Sequence, residues 1–248
     1  MANYISGMPL WAIILFVISF LYSITFIAKP ARQAALNAGM PLNKAKNIQF
    51  GILGFYIIYL AYVSFLSLKG LFDGNSLLPK PMYWAGIPLM IILFGFIGNT
   101  KLFKKLLLVI TLEALVMIHV FRLVGVFFII IYFYHLLPAG FAFSAEMGDM
   151  ITAILAIPVA RMVSKGHPWV TTAVYAWNIF GILDILNILV LVALAAKNAA
   201  ITGGSGGLDE MVKFPFVWFP AFAPATILFL HTIVFRKLQQ IKAAAGTN

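Results

Sequence analysis

Cysteine is absent from the 248 residues, which excludes disulfides, thiolate metal centres and cysteine nucleophiles. Charge is scarce as well. Charged residues make up 10% of the chain, against about 25% in soluble domains. Only 7 residues are acidic, and none of them forms an Asp-rich diphosphate box. A basic leader is also missing. MANYISGMPLWAIILF runs into apolar sequence before the first cations, Lys29 and Arg32, which argues against a cleavable signal peptide. It reads instead as a first transmembrane helix with its N-terminus outside.

What is present is apolar. Hydrophobic residues form 63% of the chain, 23 Phe among them, and the mean hydropathy is +1.02. One soluble core of this size cannot hide so much apolar surface, so the bilayer is the natural solvent. The expected fold is all-α: a polytopic helix bundle forming a single transmembrane domain over 1–248. A span needs about 20 apolar residues. Seven candidates stand out, at 8–28, 50–71, 82–99, 107–137, 149–164, 169–195 and 214–236. The fourth would reach about 46 Å at the helical rise, so it is either strongly tilted or begins as an interfacial helix near Lys104 and Lys105. Residues 196–213, which include GGSGG, are expected to be a flexible outer loop, and 239–248 a cytoplasmic tail. GGSGG matches the hydrolase pattern G-x-S-x-G only formally. Ser205 lacks the preceding strand and following helix that a nucleophile elbow needs.

The net charge of +10 would suggest nucleic acid for a soluble protein. In a membrane protein it reads as loop charge that sets orientation, and no nucleic-acid partner is expected. With the N-terminus outside, the inner segments carry twelve of the 17 cations, and Lys69, Lys80, Lys197 and Lys213 lie outside. That asymmetry favours an outside N-terminus, an odd number of spans and a cytoplasmic C-terminus. Rhodopsins share this topology, but no span interior contains the lysine that would bind retinal covalently. Cofactors are otherwise unassigned, and noncovalent carotenoid, quinone or lipid binding stays open.

The remaining cation, Arg122, belongs to no loop. It sits in HVFRLVGVFFIIIYFYHLLP, where a charge at mid-bilayer costs about 2.5–3.5 kcal/mol on insertion scales. Depth below the outer helix ends suggests its neighbours, at about 1.5 Å per residue. Arg122 lies about 24 Å down, His119 about 28 Å, and Asn178 and His231 about 26 Å each. Asp184, about 16 Å down, is the preferred counterion. Asp149 ranks second, because it reaches Arg122 only if 138–148 fold back as a re-entrant segment. Glu113 reads as a residue near the inner headgroups. His119, Arg122 and Gly125 recur every three residues, as do Asn178, Gly181, Asp184 and Asn187. Each set suggests a shared helix face, with Gly125 allowing close approach of another backbone. The candidate ion-pair or ligand residues are therefore Arg122, Asp184, His119, Asn178, His231, Asp149 and Asn187. Pro215, Pro220 and Pro224 predict an irregular entry to the last span before about Pro220, with Trp218 at the interface.

From residue 119 onward, FRLVG (121–125), LPAGFA (137–142), GDMITAILAIPVA (148–160), WNIFGILD (177–184) and FPFVWFPAFAPATILFLH (214–231) occur in order. Together they resemble a group of uncharacterised bacterial seven-helix integral membrane proteins. The resemblance implies a bacterial inner membrane location and supplies no activity. The residues themselves point to a carrier or sensor that binds a small molecule or ion around Arg122. Two alternatives stay open. One is an intramembrane enzyme acting on a lipid or isoprenoid, with His119, Asp184 and His231 as acid–base groups. The other is a structural subunit in which the polar layer only sets helix order.

Overall fold

The computed structural model describes residues 4–74, 79–202 and 206–245. Ser205 therefore lies outside the described residues. Eight helices follow in order: α1 Leu10–Asn37, α2 Leu42–Leu68, α3 Met82–Asn99, α4 Lys101–Val109, α5 Leu112–Phe133, α6 Ala139–Ser164, α7 Val170–Thr202 and α8 Trp218–Ala245. All but the short α4 give a stretch long and apolar enough to cross a membrane, seven in total. Hydrocarbon offers no partner to a free amide, so helices that satisfy their own backbone are the solution such a composition permits. Among the described residues the only β-type pairing is one bridge, between Ile5 and Phe214.

The two long helices at the centre are α8 and α5, with 72% and 61% of their apolar windows buried. The remaining spans have 22–39% buried, so they form the lipid-facing ring. Aromatic side chains weld the centre. Phe16 of α1 meets Phe127, Phe216 and Phe219 at ring-centroid distances of 5.1, 4.7 and 5.1 Å. Phe128 stacks on Phe219 at 4.3 Å. Without a hydrophobic drive between helices in lipid, such packing contacts carry the association.

Short turns bring the cations to one end. Gly39 and Gly166, at φ +75° and +62°, close the α1–α2 and α6–α7 turns in the left-handed conformation that glycine adopts freely. The α4 helix lies at this end. Thr100 caps its start, accepting from the Phe103 amide at 3.1 Å, and Thr111 restarts the chain by capping Ala114 at 3.1 Å. The long fourth apolar run is thus an exposed lysine-bearing helix followed by a true span. Lys237 of α8 donates to the Leu107 and Leu108 carbonyls at 3.2 and 2.8 Å, which ties the end of α4 to the central helix. Glu113 is half-buried nearby and forms no ion pair among the described residues.

At the opposite end, the N-terminal segment and residues 209–217 form a strap. The Ser6 amide donates to the Phe214 carbonyl at 2.8 Å, and the Phe214 amide to the Tyr4 carbonyl at 2.9 Å. Glu210 is buried beneath it, accepting from Ser6 Oγ at 2.5 Å and pairing with Lys213 at 2.7 Å. The expected loop over 196–213 is therefore partly ordered. Helix α7 continues to Thr202, and Asp209–Val212 forms a 3₁₀ turn. The expected tail likewise begins as helix, since α8 runs to Ala245.

Three local features depart from a regular reading. Helix α3 contains π-helical stretches at Met82–Gly86 and Ile91–Phe96. Helix α5 is 3₁₀ at its middle, His119–Val126. Helix α8 begins at Trp218, so Pro220 falls in the first turn, where amide donors have no helical partner to lose. Trp218 is buried rather than at the interface, with its indole donating to Ser64 Oγ at 2.9 Å. The strap above it turns what would be an interfacial aromatic into a core one.

Candidate functional site

Arg122 leaves the 3₁₀ stretch of α5 and is 1% exposed. Side chains at i and i+3 eclipse in a 3₁₀ helix. His119, Arg122 and Gly125 therefore line up on one edge, as their spacing suggests. Eight successive 3₁₀ residues are unusual. They keep the arginine, a histidine and a glycine facing α6, α7 and α8 together.

Each nitrogen of the guanidinium has a partner. Nε donates to Asp149 Oδ1 at 2.5 Å, Nη2 pairs with Asp184 Oδ2, and Nη1 meets His231 Nε2 at 3.1 Å. Arginine can only donate, so Nε2 of His231 is the acceptor and its proton sits on Nδ1. That nitrogen donates to Asn178 Oδ1 at 2.8 Å, while Asn178 Nδ2 donates to the His231 carbonyl at 3.1 Å. The His119 ring lies against His231 with centroids 4.1 Å apart, and Trp177 meets His119 edge-on at 4.9 Å. Trp177 Nε1 in turn donates to the Thr152 carbonyl at 2.9 Å.

Both carboxylates pair with Arg122, so Asp184 holds no precedence over Asp149. No re-entrant segment is needed to bring Asp149 in. Helix α6 starts at Ala139, ten residues before Asp149, so residues 139–148 are the first part of the span itself. The span begins above the boundary read from hydropathy because Glu146 and Asp149 face protein, not lipid. That orientation also brings in Glu146, which is not among the residues singled out from the sequence. Glu146 is 1% exposed, and neither carboxylate oxygen has a hydrogen-bond partner among the described residues. A Glu146–Asp149 pair one turn apart, flanked by Ala142, Ala145, Ala153 and Ala156, was the available signal for a buried face.

Asn187 is the correction in the other direction. It is exposed and lies outside the cluster. Helix α7 is a regular α-helix, so nine residues from Asn178 rotate it by about 180°. The three-residue spacing that aligns the α5 set spirals away here.

Glycines set the approach distances. A Cβ on Gly125 would sit 2.7 Å from Glu146 Oε2 and 3.3 Å from Asp149 Oδ2. One on Gly148 would fall on the Asp184 carboxylate, and one on Gly181 would stand 2.5 Å from His231 Nε2. Gly125 thus admits side chains from α6 rather than another backbone. Asp149 also lines a narrow cavity of about 40 Å³, whose other walls include Phe141, Leu208, Met211 and Phe219. That is room for a few waters, on the side of the site facing the strap.

Chemically, one fixed positive charge is enclosed with three carboxyl groups. Arg122 can balance one negative charge. The others need protons or a bound cation if the cluster is to remain out of water. Among the described residues no group of three or more metal-ligating side chains is arranged to hold a metal ion.

Fold and cluster together define a protein with seven helices long and apolar enough to cross a membrane, built around a buried, multiply paired arginine. The chain belongs to the family described as "Domain of unknown function (DUF8737)", whose model matches residues 78–239 and so takes in every residue of the cluster. No curated protein and no solved structure matches it.

Proposed function

We propose that the protein is a membrane carrier or sensor whose working site is the Arg122 cluster, and that the species taken up there is a proton. In this reading it lies in a bacterial inner membrane with its N-terminus outside, as the concentration of cations at one end of the bundle favours. The observation that carries the proposal is Glu146, a buried carboxyl with no donor among the described residues, beside two carboxyls already sharing one arginine. Buried ion pairs of this kind are weak contributors to stability, and ionisable groups at mid-membrane depth are by default functional. An anionic ligand is disfavoured because every nitrogen of Arg122 already has a partner. Protonation of Asp149 or Asp184 would release its hold on Arg122 and change how α6 or α7 meets α5.

Infrared difference spectra of purified protein between about pH 5 and about pH 9 test this. A carboxylic-acid carbonyl band should appear and disappear with pH, and Glu146→Gln should remove or shift it. A spectrum with no carboxylic-acid band that changes over that range would refute proton uptake. Reconstituted vesicles loaded with a pH-sensitive dye separate the two roles, since a carrier moves protons under a membrane potential and a sensor titrates without flux.

A further inference from the structure

A second cavity lies apart from the arginine cluster, at the cation-rich end. It holds about 640 Å³ between α1, α2, α4 and α8, with Leu93 and Ile97 of α3 and Leu115 and Ile118 of α5 completing its walls, within the roughly 300–1,000 Å³ of small-molecule sites. Ile48, Phe55 and Leu106 form its sides, and Phe229 and Ile233 of the central helix form its floor. Lys44, Asn47 and Thr100 stand at its polar rim. The groove thus reaches through the lipid-facing ring to buried residues of α8, deeper than the surface that ordinary lipid wets.

We infer that this groove binds an anionic phospholipid, with an acyl chain against Phe229 and Ile233 and the phosphate at Lys44. Charge complementarity selects the occupant. Lys44 and the α4 lysines, Lys101, Lys104 and Lys105, are all exposed at this end. None of them is in an ion pair among the described residues. The α4 helix turns Leu107 inward and its lysines outward, the disposition of a helix lying at the headgroup level. Basic pockets between membrane helices recognise anionic headgroups in this way. The apolar walls require a long hydrocarbon chain, which a free phosphate lacks.

Gly51 supplies a clean perturbation. It lines the groove, and a Cβ placed there meets nothing within 4 Å. A side chain can therefore start from this position without a clash, and the ring of Gly51→Phe would occupy part of the groove. The test is native mass spectrometry of the detergent-purified protein titrated with phosphatidylglycerol or phosphatidylcholine of identical chains. The wild type should retain phosphatidylglycerol in preference. Lys44→Gln should weaken that adduct about fivefold, the worth of one lysine at an anionic surface, and Gly51→Phe should abolish it. Glu146→Gln should leave it unchanged, so this result stands or falls separately from proton uptake. Equal retention of the two lipids with no effect of Lys44→Gln would overturn the inference. So would a dimer mass that Gly51→Phe abolishes, because a second copy would then cover the groove. Free inorganic phosphate competing the lipid away would show that the tail contributes nothing, and would overturn it too.

Discussion

Gly148→Ala is the sharpest test of the site geometry. One methyl group would be added at a helix position where alanine is otherwise the better residue by about 1 kcal/mol. Here the added Cβ would coincide with the carboxylate of Asp184 and would stand 3.0 Å from Asp184 Cβ. The second contact matters. Rotating the carboxylate relieves the worst overlap only by taking it off Arg122, and the contact with Cβ still asks for a shift of a few tenths of an ångström. Either α6 and α7 separate or Asp184 leaves Arg122. Losing that partner strands a buried charge, at about 3–5 kcal/mol. For a chain of this length that corresponds to a fall in Tm on the order of 10 °C. Gly140→Ala, in the same helix, is the matched control, since its Cβ meets nothing within 4 Å. Thermal unfolding of both variants in the same detergent, followed by tryptophan fluorescence, gives the comparison. Equal melting temperatures would show that α6 and α7 do not approach as described and that Asp184 is not held against Arg122.

The two histidines should respond differently although their rings touch. His231→Phe leaves Arg122 Nη1 and Asn178 Oδ1 without their partner, while Asn178 Nδ2 keeps the backbone carbonyl at 231, and should destabilise by about 1–3 kcal/mol. His119→Phe removes two ring nitrogens that have no hydrogen-bond partner among the described residues, and should be near neutral or mildly stabilising, within about 1.5 kcal/mol. A larger loss for His119→Phe in the same melting assay would contradict the described hydrogen bonding. At the strap, Glu210→Gln gives up the ion pair with Lys213 and weakens the bond from Ser6. Amide exchange at Ser6 and Met8 should then accelerate while the Arg122 cluster keeps its protection, and unchanged exchange at those two amides would count against the strap.

Much of this protein was legible before folding was considered. Span number, the interfacial start of the fourth apolar run and the depth-matched layer of His119, Arg122, Asn178 and His231 all follow from local sequence. Hydropathy and rise per residue are properties of a single helix, and a bilayer imposes one thickness on all of them. Rotation about each helix axis is another matter. The same three-residue spacing keeps His119, Arg122 and Gly125 aligned where α5 is 3₁₀, and sends Asn187 to the lipid side where α7 is α-helical. Sequence does not distinguish the two periods, since the difference lies in what packs against each stretch. The second rank given to Asp149 and the absence of Glu146 from the candidates have a related cause. A carboxylate lowers the hydropathy of its window whether it faces lipid or protein, so the start of α6 was read too late. Only the packed bundle, with Gly125, Gly148 and Gly181 letting three helices close on one guanidinium, decides that Arg122 is shared by two aspartates and that Glu146 stands beside them with no hydrogen-bond partner among the described residues.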